Sequence, residues 1–101
     1  YMEKIFGMLG LARRAGKLIY GSDAAVNAVR SGKAKAVILA ADASDRTKKL
    51  MRNKCASFET PLFEVEAGCE ELGKKLGKSG ISVLGISDIN FAKAIINLIN
   101  K

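Results

Sequence analysis

Apolar residues recur along this chain at two spacings, one of about three to four residues and one continuous over short runs, and the two alternate. From Glu3 to Ala15, Ile5, Met8, Leu9 and Ala12 fall on one helical stripe, with Gly16 where a terminating glycine belongs. Arg13 and Arg14 occupy the last turn, which the helix dipole favours for cations. Lys17 to Tyr20 (KLIY) reads as a short strand that Gly21 breaks. Ser22 can then cap a second helix over Asp23 to Ser31, closed by Gly32. Its buried stripe is Ala25, Val26 and Val29, which leaves Asp23, Asn27 and Arg30 on a polar face free for a partner. Ala36 to Ala41 (AVILAA) is apolar throughout, as a strand covered on both faces requires.

The second half repeats the alternation. Ser44 can cap a third helix through Phe58, with Leu50, Met51, Cys55 and Phe58 inward. Thr60-Pro61 breaks it, and Leu62 to Val65 is a short strand. Gly68 to Leu76 is a fourth helix with Cys69, Leu72 and Leu76 as its apolar face. Ile81 to Ile86 is a fourth strand, and Ser87 or Asp88 caps a last helix with Phe91, Ala92, Ile95, Leu98 and Ile99 inward. The order α-β-α-β-α-β-α-β-α, without repeats or linkers, implies an α/β class domain layered around a small sheet.

Length and composition bound the rest. A chain of 101 residues suits one domain, here residues 2–101, with Tyr1 ahead of Met2 set aside as foreign to it. No apolar run approaches the roughly 20 residues of a membrane span, and the first residues lack a signal-peptide pattern, so no membrane partner is expected and the cytoplasm is the expected address. The chain has no histidine and two isolated cysteines, Cys55 and Cys69. That removes Ser-His and Cys-His nucleophiles and ordinary zinc sites, so neither cofactor nor metal is expected.

Charge changes the picture more. Seventeen Lys and Arg against ten Asp and Glu give a net +7, which points to nucleic acid. One basic stretch, GKKLGKSG from Gly73 to Gly80, resembles a P-loop. A P-loop needs four residues between its glycines, and it must follow a strand and open a helix. Here only three residues intervene, and the stretch follows a helix and precedes a strand. A bound nucleotide is therefore not expected. What remains is a lysine-bearing turn in which Gly77 or Gly80 supplies positive φ.

Three stretches together resemble a known family: GLARRAGKLIYGSDAAVNAVRSGKAKAVILAADAS (Gly10 to Ser44), EELGKKLGK (Glu70 to Lys78) and SVLGISDINFAKAI (Ser82 to Ile95). They are similar to the kink-turn-binding ribosomal protein family, often called L-seven-Ae, and most to its small bacterial YlxQ-type branch. The resemblance implies a three-layer α/β/α sandwich with a four-stranded mixed sheet. It also implies binding of structured, kink-turn-like RNA without catalysis, with rRNA and the ribosome as candidate partners. In the family, a Gly-x-Asn-Glu-x-x-Lys stretch starts the second helix, which enters the RNA groove. It maps onto Gly21, Ser22, Asp23, Ala24 and Asn27. Asp23 stands for the family's Asn, Ala24 for Glu and Asn27 for Lys. Asp23 accepts hydrogen bonds but cannot donate, and each missing base contact costs about 1–3 kcal/mol.

The family's second RNA-covering loop maps onto Lys78, Ser79, Gly80 and Ile81. Ile81 has two readings, a residue packed on an unstacked base or the first buried residue of its strand. Arg13, Arg14, Lys17, Arg30, Lys33 and Lys35 are further candidate contacts to the RNA backbone. Few aromatics lie off core stripes, which argues against a base-stacking platform. The departures at Asp23 and Ala24 motivate an alternative function, a protein–protein adaptor on the same fold. An enzyme has little support. Asp42 and Asp88 follow strands, but helix capping explains both.

Overall fold

The computed structural model describes residues 2–100; Tyr1, expected to be foreign to the domain, lies outside them. The elements are α1 (Met2–Arg14), β1 (Leu18–Tyr20), α2 (Ser22–Arg30), β2 (Ala36–Leu39), α3 (Asp45–Ser57), β3 (Leu62–Glu64), α4 (Cys69–Lys75), β4 (Val83–Ile86) and α5 (Ile89–Ile99). The expected alternation is present. The sheet runs β1-β4-β2-β3, antiparallel at β1/β4 and β2/β4 and parallel at β2/β3, so it is mixed.

Side-chain alternation along the strands builds two cores on one sheet. Ala36, Ile38, Leu84 and Ile86 face one way, into a core closed by Ile5 and Leu9 of α1, Leu72 of α4 and Ala92 and Ile95 of α5. Val37, Leu39 and Val83 face the other way, against Ala25 and Val29 of α2 and Met51 and Cys55 of α3. All four residues of β2, and all four of β4, are buried, which is why their sequences are apolar without interruption. The result is the three-layer sandwich expected.

Two inward assignments on α3 are corrected. Leu50 is 37% and Phe58 46% exposed, whereas Met51 and Cys55 are buried. α3 packs against α2 and β3 and buries only Met51 and Cys55, so its apolar stripe is narrower than the four residues assigned to it. Phe58 is no longer helical; it is the C-cap, and it sits on the surface. Ser44 caps α3 by accepting from the Thr47 amide at 3.1 Å, and Asp88 caps α5 by accepting from the Asn90 and Phe91 amides.

The topology separates the sheet into two ends. β1, β2 and β3 finish where β4 begins, so Gly21, Asp42 and the α4–β4 loop (residues 76–82) gather at one end. The turns α1–β1, α2–β2, α3–β3 and β4–α5 gather at the other.

Candidate nucleic-acid interface

At the first end, β1 delivers the chain directly into α2. Tyr20 pairs with Leu84, and the Gly21 amide extends the ladder by donating to the Val83 carbonyl at 3.1 Å. Gly21 then turns the chain with φ 93° and ψ 158°, a conformation open almost only to glycine. Its carbonyl accepts from Ala25 and opens the helix. The expected cap by Ser22 is absent: Ser22 is already helical, and no side chain caps α2. The physical reason is position, since a cap must precede the first helical residue, and Gly21 holds that place. The first amides of α2 are thus left without a side-chain partner at a positive dipole end, with Asp23 exposed beside them.

The α4–β4 loop lies next to this helix start. Gly77 makes the turn with φ 72°; Gly80 does not have positive φ. The Lys78 amide donates to the Gly73 carbonyl at 2.7 Å, and the Ile81 amide donates to the Cys69 carbonyl at 3.1 Å, so the loop folds back on α4. Gly73 makes that return possible. A Cβ on it would lie 2.7 Å from the Gly80 nitrogen, 2.8 Å from the Gly80 Cα and 2.8 Å from the Lys78 carbonyl oxygen. The helix–loop–strand order confirms that GKKLGKSG is no P-loop.

The lysines of that stretch divide their tasks. Lys74 and Lys75 share a hollow with Glu70 and Glu71, at the favourable Glu-to-Lys spacing of four. Lys75 also lies 5.6 Å from the Phe6 ring centroid on α1. Lys78 lies at the end of β1, its Nζ 4.6 Å over the ring of Tyr20, the residue before Gly21. The Arg13 guanidinium approaches the loop from α1, within 3.1 Å of where a Gly77 Cβ would stand. Tyr20 is the residue that sequence reasoning missed. Its place before Gly21 was visible, but only strand pairing brings it under Lys78.

Residues 21–23 and 78–80 therefore share one end of the sheet, whereas other candidates do not join them. Ile81 is 4% exposed and packed in the first core, so it offers a base no surface. The strand itself begins two residues later, at Val83. Lys17, Lys33 and Lys35 lie at the opposite end of the sheet, where Lys33 and Lys35 border an open hollow of about 520 Å³ with Gly16, Ser31 and Ser87. Asn27 lies between the two ends, in a shallow groove with Ile19, Ala24, Ser31 and Lys33 beside edge strand β1. Arg30 borders a different hollow, toward α3 and α5.

Asp42 is used structurally. Its carboxylate accepts from the Cys69 amide at 2.7 Å and so caps α4 from a distance of 27 residues in sequence. The Cys69 thiol and then its amide hold the Asp42 carboxyl below its ordinary value. Burial, reinforced by Asp42, pushes the Cys69 thiol up to about 11, and burial alone pushes Cys55 to about 11, so neither is a ready thiolate nucleophile. Among the described residues, no group of His, Cys, Asp or Glu could hold a metal ion, and no helix is long and apolar enough to cross a membrane.

Fold and site together define a small three-layer α/β/α domain that presents a glycine-led helix start and a lysine loop at one end of its sheet. The chain belongs to the ribosomal protein L7Ae/L30e/S12e/Gadd45 family, whose model matches residues 3–96, and to its YlxQ branch. It is 37% identical over 95 residues to the RNA-binding protein YlxQ of Bacillus subtilis, covering 94% of each chain. It is 41% identical over 97 residues to RNA-binding protein YlxQ of Enterococcus faecium, covering 96% of this chain and 92% of the relative. The large ribosomal subunit protein eL30 of Candida albicans is 31% identical over 97 residues, with 92% of both chains covered. The solved structure of a protein of unknown function from Bacillus halodurans C superposes with a TM-score of 0.91 at 36% identity, covering 95% and 96% of the two chains.

Proposed function

We propose that this protein, as one domain over residues 2–101, binds structured RNA of the kink-turn kind without catalysing a reaction, in association with the ribosome. The observation that carries the reading is the convergence of two separate segments, the uncapped start of α2 at Gly21–Asp23 and the Lys78–Gly80 loop. Unpartnered amides at a helix start accept phosphate or a base-edge acceptor, and a flanking lysine neutralises backbone charge. The relatives named as RNA-binding and ribosomal proteins support the same reading.

The roles divide by chemistry. Gly21 sets the angle at which α2 meets RNA, Ser22 and Asp23 border its first turn, and Asn27 lies one turn further along the groove. Lys78, Ser79 and Gly80 cover the RNA from the loop. Lys17, Lys33 and Lys35, at the far end, reach only an RNA long enough to run along β1. The test is binding to a kink-turn RNA and to a plain duplex of equal length across a salt series. The kinked RNA should bind more tightly at every salt concentration, with affinity falling as salt rises. Equal affinities for the two RNAs would end the kink-turn reading.

A further inference from the structure

The far end of the sheet carries a second surface, of which the RNA reading uses only Lys35. Val29 of α2, Phe58 and Pro61 of the α3–β3 turn, and Ile89 and Ile96 of α5 border an open hollow of about 640 Å³. Phe58 and Ile89, 46% and 47% exposed, are two of the four large apolar side chains left in solvent among the described residues, and both stand here. Arg30, Lys35 and Lys93 surround them, and none of the three is in an ion pair among the described residues. Glu59 is the single acid of the rim, held at φ 54°, a left-handed conformation that is strained for a glutamate.

We propose that this hollow docks an acidic protein segment that inserts a bulky apolar side chain. The floor is aliphatic with one aromatic edge, which suits a leucine or phenylalanine anchor. The three cations supply complementarity to Asp and Glu on either side of that anchor. RNA fits less well, because an aliphatic floor gives bases no stacking platform. The hollow opens at the end of the sheet opposite Gly21 and Lys78, so a docked segment leaves the first end free. The proposal stands whether or not the protein binds RNA.

The test uses a fluorescein-labelled 14-residue peptide, about four helical turns if it is helical, with a Leu-Phe pair between runs of Asp and Glu. A twin peptide carries Lys runs, and oligouridine serves as competitor. The acidic peptide should saturate the protein, and its amide-resonance shifts should map to Phe58, Ile89 and Lys93. Phe58→Ser should weaken it by at least about tenfold and Lys93→Glu by about threefold to tenfold. Both positions are exposed, and circular dichroism should show both variants folded. RNA affinity of Phe58→Ser should be unchanged. Absence of saturable binding, equal binding of the lysine twin, or shifts at Gly21 and Lys78 would overturn the proposal. Displacement by oligouridine would assign the hollow to RNA instead. A dimer that Phe58→Ser converts to monomer would assign it to a second copy of this chain.

Discussion

The two ends of the sheet differ in what they leave unsatisfied. At the Gly21 end the unsatisfied groups are polar: helix amides without a side-chain cap, and the Lys78 ammonium over Tyr20. At the other end they are mostly apolar, with Phe58 and Ile89 in solvent inside a ring of cations. Net charge is therefore a poor guide to where a ligand sits on this molecule, because lysines occur at both ends. What separates the ends is backbone. Both have glycines of positive φ, Gly21 and Gly77 at the first and Gly16 and Gly32 at the other, but only at the first does loop backbone pack where a glycine side chain would stand, at Gly73.

That account breaks most severely at Gly73. Alanine at a helical glycine ordinarily gains about 1 kcal/mol from propensity. Here the atoms a side chain would meet are backbone atoms of Lys78 and Gly80, which cannot swing aside as a flexible side chain does. Overpacking costs about 1–3 kcal/mol and wins over propensity. Gly73→Val should lower unfolding stability in denaturant by about 3 kcal/mol and abolish preference for kinked RNA by displacing the loop. A variant as stable as the parent would show that the loop yields freely.

Gly21→Val should act less on stability and more selectively on binding. A Cβ there meets nothing within 4 Å, so only the φ of 93° resists it, at a strain of about 1–3 kcal/mol. Whatever relief the chain finds must tilt the start of α2. Kinked-RNA affinity should fall at least about tenfold, equivalent to one lost contact, with duplex affinity little changed. Titration of both RNAs against the variant checks this, and equal losses would place Gly21 outside recognition.

The element order and both cores were legible because nearly every strand is a short apolar run and most helices carry a stripe wide enough to identify. α3 is the exception. It packs inward through Met51 and Cys55 and leaves Leu50 and Phe58 partly in solvent, although spacing alone makes all four look alike. The site was half legible. Gly21 and Lys78 were identifiable through family likeness, but likeness does not report that Lys33 and Lys35 lie at the other end. That separation follows from the antiparallel placement of β4 between β1 and β2, a long-range pairing that leaves no local mark in the chain. The strand-like run ISVLGI likewise hides that Ile81 is anchored to Cys69 before the strand begins.

Lysines at the two ends should respond unequally. Lys78→Ala should weaken every RNA tested and reduce the slope of log affinity against log salt by about 1, as loss of one phosphate contact requires. Lys33→Ala should have a smaller effect, visible only with RNA long enough to follow the groove past Asn27. Equal effects on a short kinked RNA would mean that charge, not the shape of the Gly21 end, governs binding.

The smallest expected effect concerns the acid that holds the first end together. Asp42 caps α4 through the Cys69 amide, and Cys69 in turn accepts the Ile81 amide of the loop. Hydrogen bonding from Cys69 holds the Asp42 carboxyl below its ordinary value of 3.8, so the ionised form favours the folded state. Its contribution is complete above 3.8 and is lost as pH falls through the lower, folded-state value. Asp42→Asn keeps an oxygen to accept from the amide but removes the titration. The parent should therefore lose thermal stability more steeply than the variant as pH drops below 3.8, and the two should run parallel near neutrality. The carboxylate lies at the surface, so the divergence should also shrink in high salt. Parallel curves throughout the acid range would show that the α4 cap does not depend on charge. In that case the shape of the Gly21 end rests on the glycines alone.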